Sequence, residues 1–147
     1  MISVSVQTGD FDTGREQAAL EASGGGAVAS FTGLVRADGG LVELHLDHYP
    51  AMTLAQLDAL AREAEQRWSL LGVRLIHRVG PLVPGDRIVF VATAARHRQA
   101  ALESCAFLID WLKTSAPFWK RERFADGRTN WVEARAEDDE RAAKWKG

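Results

Sequence analysis

Three consecutive cationic or ionisable side chains, Arg96, His97 and Arg98, stand at the start of a run with helical periodicity. Apolar residues recur in this run at steps of four, three and four, which predicts one amphipathic helix with a face turned to a core; they are Ala101, Cys105, Leu108 and Leu112. The first turn of a helix carries the positive end of its dipole, so cations are unfavourable there unless an anion binds. Free amide N–H groups at a helix start favour phosphate or carboxylate, and guanidinium and imidazole groups add to that preference. The pattern therefore predicts an anion-binding site.

More positive charge follows the predicted helix. Residues 96–123 contain six Lys or Arg against three Asp or Glu, a net charge of +3 in a chain of net charge −2. The helix is expected to end shortly before Pro117, which disfavours helical conformation at the residue before it, and a basic loop containing Lys120 is expected to follow. Lys113 lies near the predicted helix end, where the dipole itself favours a cation. For each of these side chains a solvated surface charge is the simpler interpretation, so spacing alone supports only an anion-binding α+β domain.

The segments around these groups alternate between strand and helix patterns. Alternating or continuous apolar runs predict strands at residues 2–6, 27–35, 41–49, 73–80, 87–94 and 131–134, with turns at 81–86 and 125–128. Two capping-box matches, T-G-R-E (13–16) and T-L-A-Q (53–56), predict helix starts. Arg36 stands at the end of the second strand, and the 87–94 strand leads directly to Arg96. The predicted site therefore lies at a strand-to-helix junction.

Cys105 and two histidines are assigned structural roles. Cys105 lies on the apolar stripe and is interpreted as a core thiol rather than a nucleophile. His77, within a predicted strand, and His48, beside a Tyr-Pro pair, are interpreted as structural histidines. A single cysteine excludes an internal disulfide and a multi-Cys metal site. Because the four histidines show no zinc-type spacing, no metal is predicted.

Length and composition favour one ordinary domain. The 147 residues, 46% apolar and 26% charged, suffice for one core, so a single domain over 1–147 is predicted, with a charged tail from about residue 136 to 147. No apolar run is long enough to span a membrane and the N-terminus lacks a signal-peptide pattern, which predicts a cytoplasmic protein. A sequence pI near 6.1 argues against a general nucleic-acid binder.

Seven motifs are specific enough to compare with a known family. They are F-T-G-L-V-R (31–36), L-D-H-Y-P-A-M-T (46–53), E-A-E-Q-R-W (63–68), H-R-V-G-P-L-V-P-G-D (77–86), H-R-Q-A-A (97–101), D-W-L-K-T-S-A-P-F-W-K-R-E (110–122) and W-V-E-A-R (131–135). In order, over roughly residues 27–135, they resemble the large catalytic subunit of molybdopterin synthase, the MoaE family. The resemblance implies an α+β fold of the α/β hammerhead type, with a mixed or antiparallel sheet and three main helices.

The same resemblance implies a sulfurtransferase. In this family a small ubiquitin-like subunit with a C-terminal Gly-Gly thiocarboxylate donates two successive sulfurs to cyclic pyranopterin monophosphate, forming the dithiolene of molybdopterin. The implied assembly is a homodimer of large subunits with a small subunit at each end, a heterotetramer. The implied reaction uses no permanently bound cofactor.

The family motifs assign the site residues by position. The implied substrate pocket comprises Arg36, His97, Arg98, Lys113, Lys120, Arg121 and Glu122. Lys113 is expected to lead catalysis, as a general acid/base or as the group that meets the thiocarboxylate carbonyl, with Lys120 assisting. Guanidinium and ammonium groups suit a phosphorylated substrate and an anionic sulfur donor, because they can hold both and stabilise developing charge.

Helix geometry separates these groups within one chain. Sixteen residues lie between His97 and Lys113, so on one helix they are ~24 Å apart along its axis. We therefore predict a site shared between two subunits, with His97 and Arg98 of one completing the pocket around Lys113, Lys120 and Arg36 of the other. The alternative is a non-catalytic module that binds a ubiquitin-like protein tail or a phosphorylated ligand. The pair of lysines, beyond what capture of an anion requires, favours the enzyme.

Overall fold

Three α-helices and eight strands make up the described part of the chain, which is residues 1–114, 118–132 and 145 of a computed structural model. In chain order they are β1 (Ile2–Gln7), α1 (Thr13–Glu21), β2 (Ala27–Leu34), β3 (Leu41–His48), α2 (Pro50–Trp68), β4 (Gly72–Arg78), β5 (Gly80–Leu82), β6 (Arg87–Ala95), α3 (Arg98–Thr114), β7 (Phe118–Phe124) and β8 (Thr129–Val132). A 3₁₀ turn at Asp38–Gly40 joins β2 to β3. The strands form two separate four-stranded sheets. The predicted α+β class with three main helices is confirmed.

The first sheet is the central layer of the fold. Its strand order is β1-β4-β6-β2, with β1 and β4 parallel and the other neighbours antiparallel. β6 is buried from Val89 to its end, which confirms the central strand predicted from its apolar run. One face packs Leu75 and Val91 against α2 and α3, and the opposite face packs Ile76 and Phe90 against α1. Side chains alternate across a strand, so each central strand has one apolar side chain set facing α2 and α3 and another facing α1. Both faces of this sheet are therefore covered, and α3 packs along one of them.

The second sheet has the order β5-β3-β7-β8 and is antiparallel throughout. Its inner face contributes Leu44, Leu46 and Leu82 to a third apolar cluster, which Val35 and Val79 complete from the connections to the first sheet. Phe118 packs against this cluster and also against the core of the first sheet. The start of β7 is therefore where the two sheets meet.

Both capping-box predictions identify the wrong capping residue. Asp12 caps α1, since its Oδ1 accepts a hydrogen bond from the Arg15 N–H at 3.0 Å. α2 begins earlier than predicted, at Pro50, and Thr53 is a fully buried residue inside it, whose N–H donates to the Tyr49 carbonyl at 2.8 Å. Proline suits the first helical position because its missing N–H would have no intrahelical partner there.

The loop predicted after α3 is also wrong. Residues 118–124 form β7, whose side chains alternate between half-buried and exposed positions and which pairs with β3 over nearly its whole length. Part of the predicted turn 81–86 is likewise a short strand, β5, paired with β3. The turn at 125–128 is confirmed, with the Gly127 N–H donating to the Phe124 carbonyl at 3.0 Å. Residues 133–134 of the predicted last strand, and the predicted tail apart from Trp145, lie outside the described residues.

None of the helices in the described residues is both long and apolar enough to cross a membrane.

Candidate active site

The direction of α3 decides which predicted site residues lie near one another. The Thr93 hydroxyl donates to the Ala101 carbonyl at 2.7 Å, and the Cys105 thiol approaches the Val91 carbonyl at 3.9 Å. The helix therefore runs back along β6 in the opposite direction. Its N-terminus lies at the end of the sheet where β6 finishes, and its C-terminus, with Lys113, lies at the end where β6 starts.

Arg36 lies at the same end of the sheet as Lys113. β2 is antiparallel to β6, and Leu34 pairs with Arg87 at the start of β6. Two residues later, the Arg36 Nε lies 3.4 Å from the Asp38 carboxylate. Both side chains are largely exposed, at 70% and 76%, so this ion pair contributes little to stability and leaves the guanidinium accessible to a ligand.

Lys120 lies on the inner face of the second sheet. Its partner in β3 is Leu46, a buried residue of the core, and its own side chain is half-buried. Phe118 shares this face two residues earlier. Lys120 therefore points toward the region where the two sheets meet, rather than into the solvent on the outer face.

Buried His77 links the two lysines. Its ring is 7% exposed and stacks on Phe118, with centroids 3.9 Å apart and planes inclined by 19°. The pKa of His77 is lowered to about 4, mainly by burial and in smaller part by the charges of Lys120, Lys113 and His48. The hydrogen bond between its Nδ1 and the backbone carbonyl of the next residue opposes this change without reversing it. Both lysines thus lie close enough to His77 to act on the same neutral imidazole.

The sequence alone indicates a structural role for His77 and does not connect it with the site. Period-two alternation in β4 places His77 on the same face as Val73 and Leu75, the face covered by α2 and α3. That alternation predicts that His77 faces the core, but it does not identify Phe118 or the lysines as its neighbours. The family motifs therefore identify Lys113 and Lys120 as functional, but not His77, which lies near both.

His97 and Arg98 lie at the opposite end of α3. Both side chains are exposed, and the His97 carbonyl accepts the N–H of Ala101 at 3.4 Å in the first helical turn. Because α3 spans Arg98–Thr114, His97 and Lys113 are about 24 Å apart along the helix axis. The described residues of one chain therefore bring Arg36, Lys113 and Lys120 to one end of the fold and His97 and Arg98 to the other.

Arg121 and Glu122 lie on opposite faces of β7. Arg121 is exposed on the outer face, directly between His45 of β3 and Trp131 of β8. Glu122 is half-buried on the inner face, the face that carries Lys120. A single ligand beside Lys120 is therefore within easier reach of Glu122 than of Arg121, and the substrate-binding roles of both stay predictions.

The site is cationic. Within the described part of the chain, no three His, Cys, Asp or Glu side chains converge as a metal site would require. Cys105 is buried in the core, which confirms its assignment as a core thiol, and burial raises its pKa to about 12. The arrangement can hold anions and stabilise negative charge, and it offers no reactive thiolate.

Comparisons with known proteins decide the family. The family model described as "MoaE protein" matches residues 6–115. The molybdopterin synthase catalytic subunit of Pseudomonas aeruginosa is 48% identical over 149 residues, which cover 98% of this chain and 99% of that protein. The chain belongs to the MoaE family. Its assignment to the catalytic subunits of molybdopterin synthase, which are sulfurtransferases of molybdenum cofactor biosynthesis, is confirmed.

Solved structures agree with this family. The molybdopterin biosynthesis MoaE protein from Burkholderia ambifaria has 47% sequence identity and a TM-score of 0.85, over 99% of this chain and 98% of that one. A protein-protein complex of subunits 1 and 2 of molybdopterin-converting factor from Helicobacter pylori includes a chain with 22% identity and a TM-score of 0.76, covering 90% of this chain and 91% of that one. At that identity the second likeness shows the MoaE fold alone.

Proposed function

We propose that this chain transfers sulfur from the C-terminal Gly-Gly thiocarboxylate of a small ubiquitin-like subunit to cyclic pyranopterin monophosphate, in two successive steps that form the dithiolene of molybdopterin. Membership of the MoaE family supports the reaction. The relatives are named as subunits, and a structure of the same fold is a two-subunit complex, which supports a partner protein. The proposed site of action is the cytoplasm.

The observation that carries this proposal is that Lys113 and Lys120 both lie near enough to His77 for their charges to lower its pKa. The reaction brings two anions together, a cyclic phosphate and a thiocarboxylate. Two ammonium groups attract both, and the half-buried Lys120 stabilises negative charge more strongly than it would in bulk water. The neutral imidazole adds no third cation that would oppose them.

Lys113 takes the leading catalytic role in the proposed reaction. It acts as a general acid/base or contacts the thiocarboxylate carbonyl, and Lys120 assists from the facing strand. In each transfer a bond forms between sulfur and a side-chain carbon of the pterin, and a carbon–oxygen bond at that carbon breaks. The displaced oxygen stays with the opened cyclic phosphate or leaves as water, and the bond between sulfur and the acyl carbon then breaks. The acyl carbon gains an oxygen atom from water and leaves as a carboxylate. In the proposed reaction Arg36 holds the phosphate, and no resident cofactor or metal takes part.

The proposed active site is shared across a homodimer. Arg36, Lys113 and Lys120 lie at one end of the fold, and His97 and Arg98 lie about 24 Å away along α3. A pocket for one small substrate cannot use both groups from one chain. His97 and Arg98 of a second copy therefore complete the pocket, and a small subunit at each end makes a heterotetramer.

Reconstitution tests the proposal. The purified protein is mixed with thiocarboxylated small subunit and cyclic pyranopterin monophosphate, and dithiolene product is measured. Wild-type protein should form product, and Lys113→Ala should lower the rate by about 10²-fold or more, the range for loss of a proton-transfer group. Arg62→Ala, an exposed position on α2 paired with Asp58 at 2.8 Å, is the control for loss of a surface cation and should keep full activity.

Two outcomes would contradict it. Full activity of Lys113→Ala would remove its catalytic role. A wild-type protein that binds the small subunit and the pterin phosphate, yet forms no dithiolene, would instead support the non-catalytic binding module.

A further inference from the structure

The stacked pair of His77 and Phe118 is the direct aromatic contact between β4 of the first sheet and β7 of the second. The two rings lie 3.9 Å apart and nearly parallel. Phe118 is the first residue of β7, and Lys120 follows it by two positions on the same face. Since residues i and i+2 of a strand share a face, the orientation of Phe118 sets that of Lys120.

The histidine side of this pair is anchored firmly. The His77 Nδ1 donates a hydrogen bond to the Arg78 carbonyl at 2.8 Å, which fixes the ring plane. The Arg78 guanidinium in turn donates to the Thr8 carbonyl at 2.9 and 3.1 Å and to the Arg87 carbonyl at 3.2 Å. His77 is therefore a rigid surface on which another ring can be placed.

The position of Phe118 depends on its contacts with neighbouring rings and strands. Phe118 pairs with His48, the last residue of β3, and the two rings are 6.3 Å apart. β7 is joined to the rest of the second sheet by β3 on one side and by the short strand β8 on the other. The stack on His77, together with the packing of Phe118 against the core of the first sheet, therefore relates the start of β7 to that sheet, along which α3 carries Lys113.

We propose that His77 is a positioning residue for Lys120: its flat, uncharged ring holds Phe118, and so holds the start of β7 in the place that sets Lys120 beside Lys113. The consequence for catalysis rests on the proposed sulfur transfer. The positioning itself does not.

The low pKa of His77, about 4, agrees with this role, because the ring stays neutral near two ammonium groups at neutral pH. A protonated ring would repel both ammonium groups. It would also favour contact with water over its stack on Phe118. The inference concerns the shape of the ring, so an aromatic hydrocarbon of similar shape should substitute for it.

Two variants of similar volume separate shape from chemistry. His77→Phe keeps a flat ring and removes the imidazole nitrogens, whereas His77→Leu fills the space without a ring. Ile76→Ala is the control, because Ile76 is the buried neighbour on the opposite face of β4 and packs with Phe11, Leu20 and Phe90 instead. It should destabilise the fold without disturbing Lys120.

The first measurement is steady-state sulfur transfer. His77→Leu should lower kcat by about tenfold or more, in the range expected when a catalytic group is misplaced, and should change KM for the pterin by less than about threefold. His77→Phe should stay within about threefold of wild-type kcat, and Ile76→Ala should keep wild-type kcat at temperatures where it is folded. Equal loss in His77→Phe and His77→Leu, or wild-type kcat in His77→Leu, would overturn the inference.

The second measurement needs no substrate. Native protein is treated with an amine-reactive reagent, and the labelling rate of Lys120 is divided by that of exposed Lys113 from the same digest by mass spectrometry. The ratio should rise at least about threefold in His77→Leu and stay at the wild-type value in His77→Phe and Ile76→Ala, because only the first frees the start of β7. An unchanged ratio in His77→Leu would overturn the positioning role. If wild-type protein made no dithiolene, the proposed function would fail while this ratio still tested the positioning of Lys120.

Discussion

The indole Nε1 of Trp145 donates a hydrogen bond to the Asp110 carboxylate at 2.7 Å, which joins a residue near the C-terminus to α3. The Trp145 ring also lies 5.7 Å from the rings of Trp68 and Phe107. The Arg67 guanidinium donates to the Trp145 carbonyl at 2.9 Å and lies against the same aromatic group. Asp110 precedes Lys113 by less than one helical turn. Trp145 therefore ties α2 to the end of α3 that carries the proposed catalytic lysine.

Replacing Trp145 by alanine should destabilise the protein. The change removes half-buried aromatic area, three ring contacts and the hydrogen bond to Asp110, and leaves that carboxylate without the indole donor. We expect the free energy of unfolding to fall by about 1–3 kcal/mol, measured by urea denaturation. Trp131→Ala is the control for loss of an indole, because Trp131 is 64% exposed, and it should change stability by less than about 0.5 kcal/mol. Equal effects of the two substitutions would show that the contacts of Trp145 add no stability.

The buried imidazole of His77 predicts an acid-dependent loss of stability. Its pKa is about 4 in the folded protein and 6.5 as the ordinary value, so the unfolded chain binds a proton over a pH range in which the folded protein does not. Stability should therefore fall as the pH decreases from about 6.5 to 4, by about 3 kcal/mol from this residue, and should show no further loss from it below pH 4. Lys120 on β7, Lys113 on α3 and His48 on β3 are the charged or titratable groups that act on it.

The control for this prediction is His77→Phe, which has no proton to gain. Urea denaturation at a series of pH values should show a shallower decrease for the variant between pH 6.5 and 4 than for the wild type. Parallel curves would mean that other groups produce the acid sensitivity. The sign matters as well, because a gain of stability on acidification would require a raised pKa for His77.

The central elements were predictable from the sequence because their signals are local. The apolar run 87–94 matches β6 to within one residue at its C-terminal end, and the apolar steps from Ala101 to Leu112 lie within α3. A helix that directly follows a buried strand runs back along the sheet, because its apolar face must pack on that sheet. The separation of His97 from Lys113 followed from helix length alone.

The strand β7 was not predictable in the same way. Its alternation of aromatic and charged residues follows Pro117 and contains three basic side chains, features that favour a loop when the segment is considered by itself. What makes it a strand is its pairing with β3, from His48–Phe118 to Leu41–Phe124, which is a non-local property. The capping residues were missed for a related reason: Asp12 caps α1 with its side chain, and Pro50 takes the first helical position of α2, so neither helix is capped by the threonine that matches the motif.

The candidate site was predictable in part. Family motifs identify Lys113 and Lys120, but their common neighbour His77 belongs to a different sheet. Its stack on Phe118 depends on how the two sheets meet, and no pattern within β4 or β7 encodes that meeting. The motifs therefore identify the two lysines, and only the structure identifies the contact between His77 and Phe118 that positions Lys120.

The lone cysteine should be unreactive in the native protein. Cys105 is 5% exposed, and burial raises its pKa from 9.0 to about 12. Because the thiolate is the nucleophile, alkylation by iodoacetamide at pH 8 should be at least about 10²-fold slower in native protein than in guanidinium chloride, as measured by mass spectrometry. Sulfur transfer should also survive in a Cys105→Ala variant at temperatures where it is folded. Rapid native alkylation would indicate that α3 opens from the sheet.

Mixed dimers should recover activity that neither parent variant has. His97→Ala and Lys113→Ala are each expected to disrupt both sites of their own dimer. In a mixed dimer, Lys113 of one protomer meets His97 of the other, so one of its two sites is intact, and random pairing after joint refolding makes about one quarter of all sites functional. Dithiolene formation should therefore rise to about a quarter of the wild-type rate. Mixing Lys113→Ala with Lys120→Ala is the matched control: both lysines belong to the same half of the site, so every mixed site lacks one of them and activity should stay at the parental level. Recovery in that control, or none in the first mixture despite confirmed subunit exchange, would contradict a site that combines the start of α3 from one subunit with its end from another.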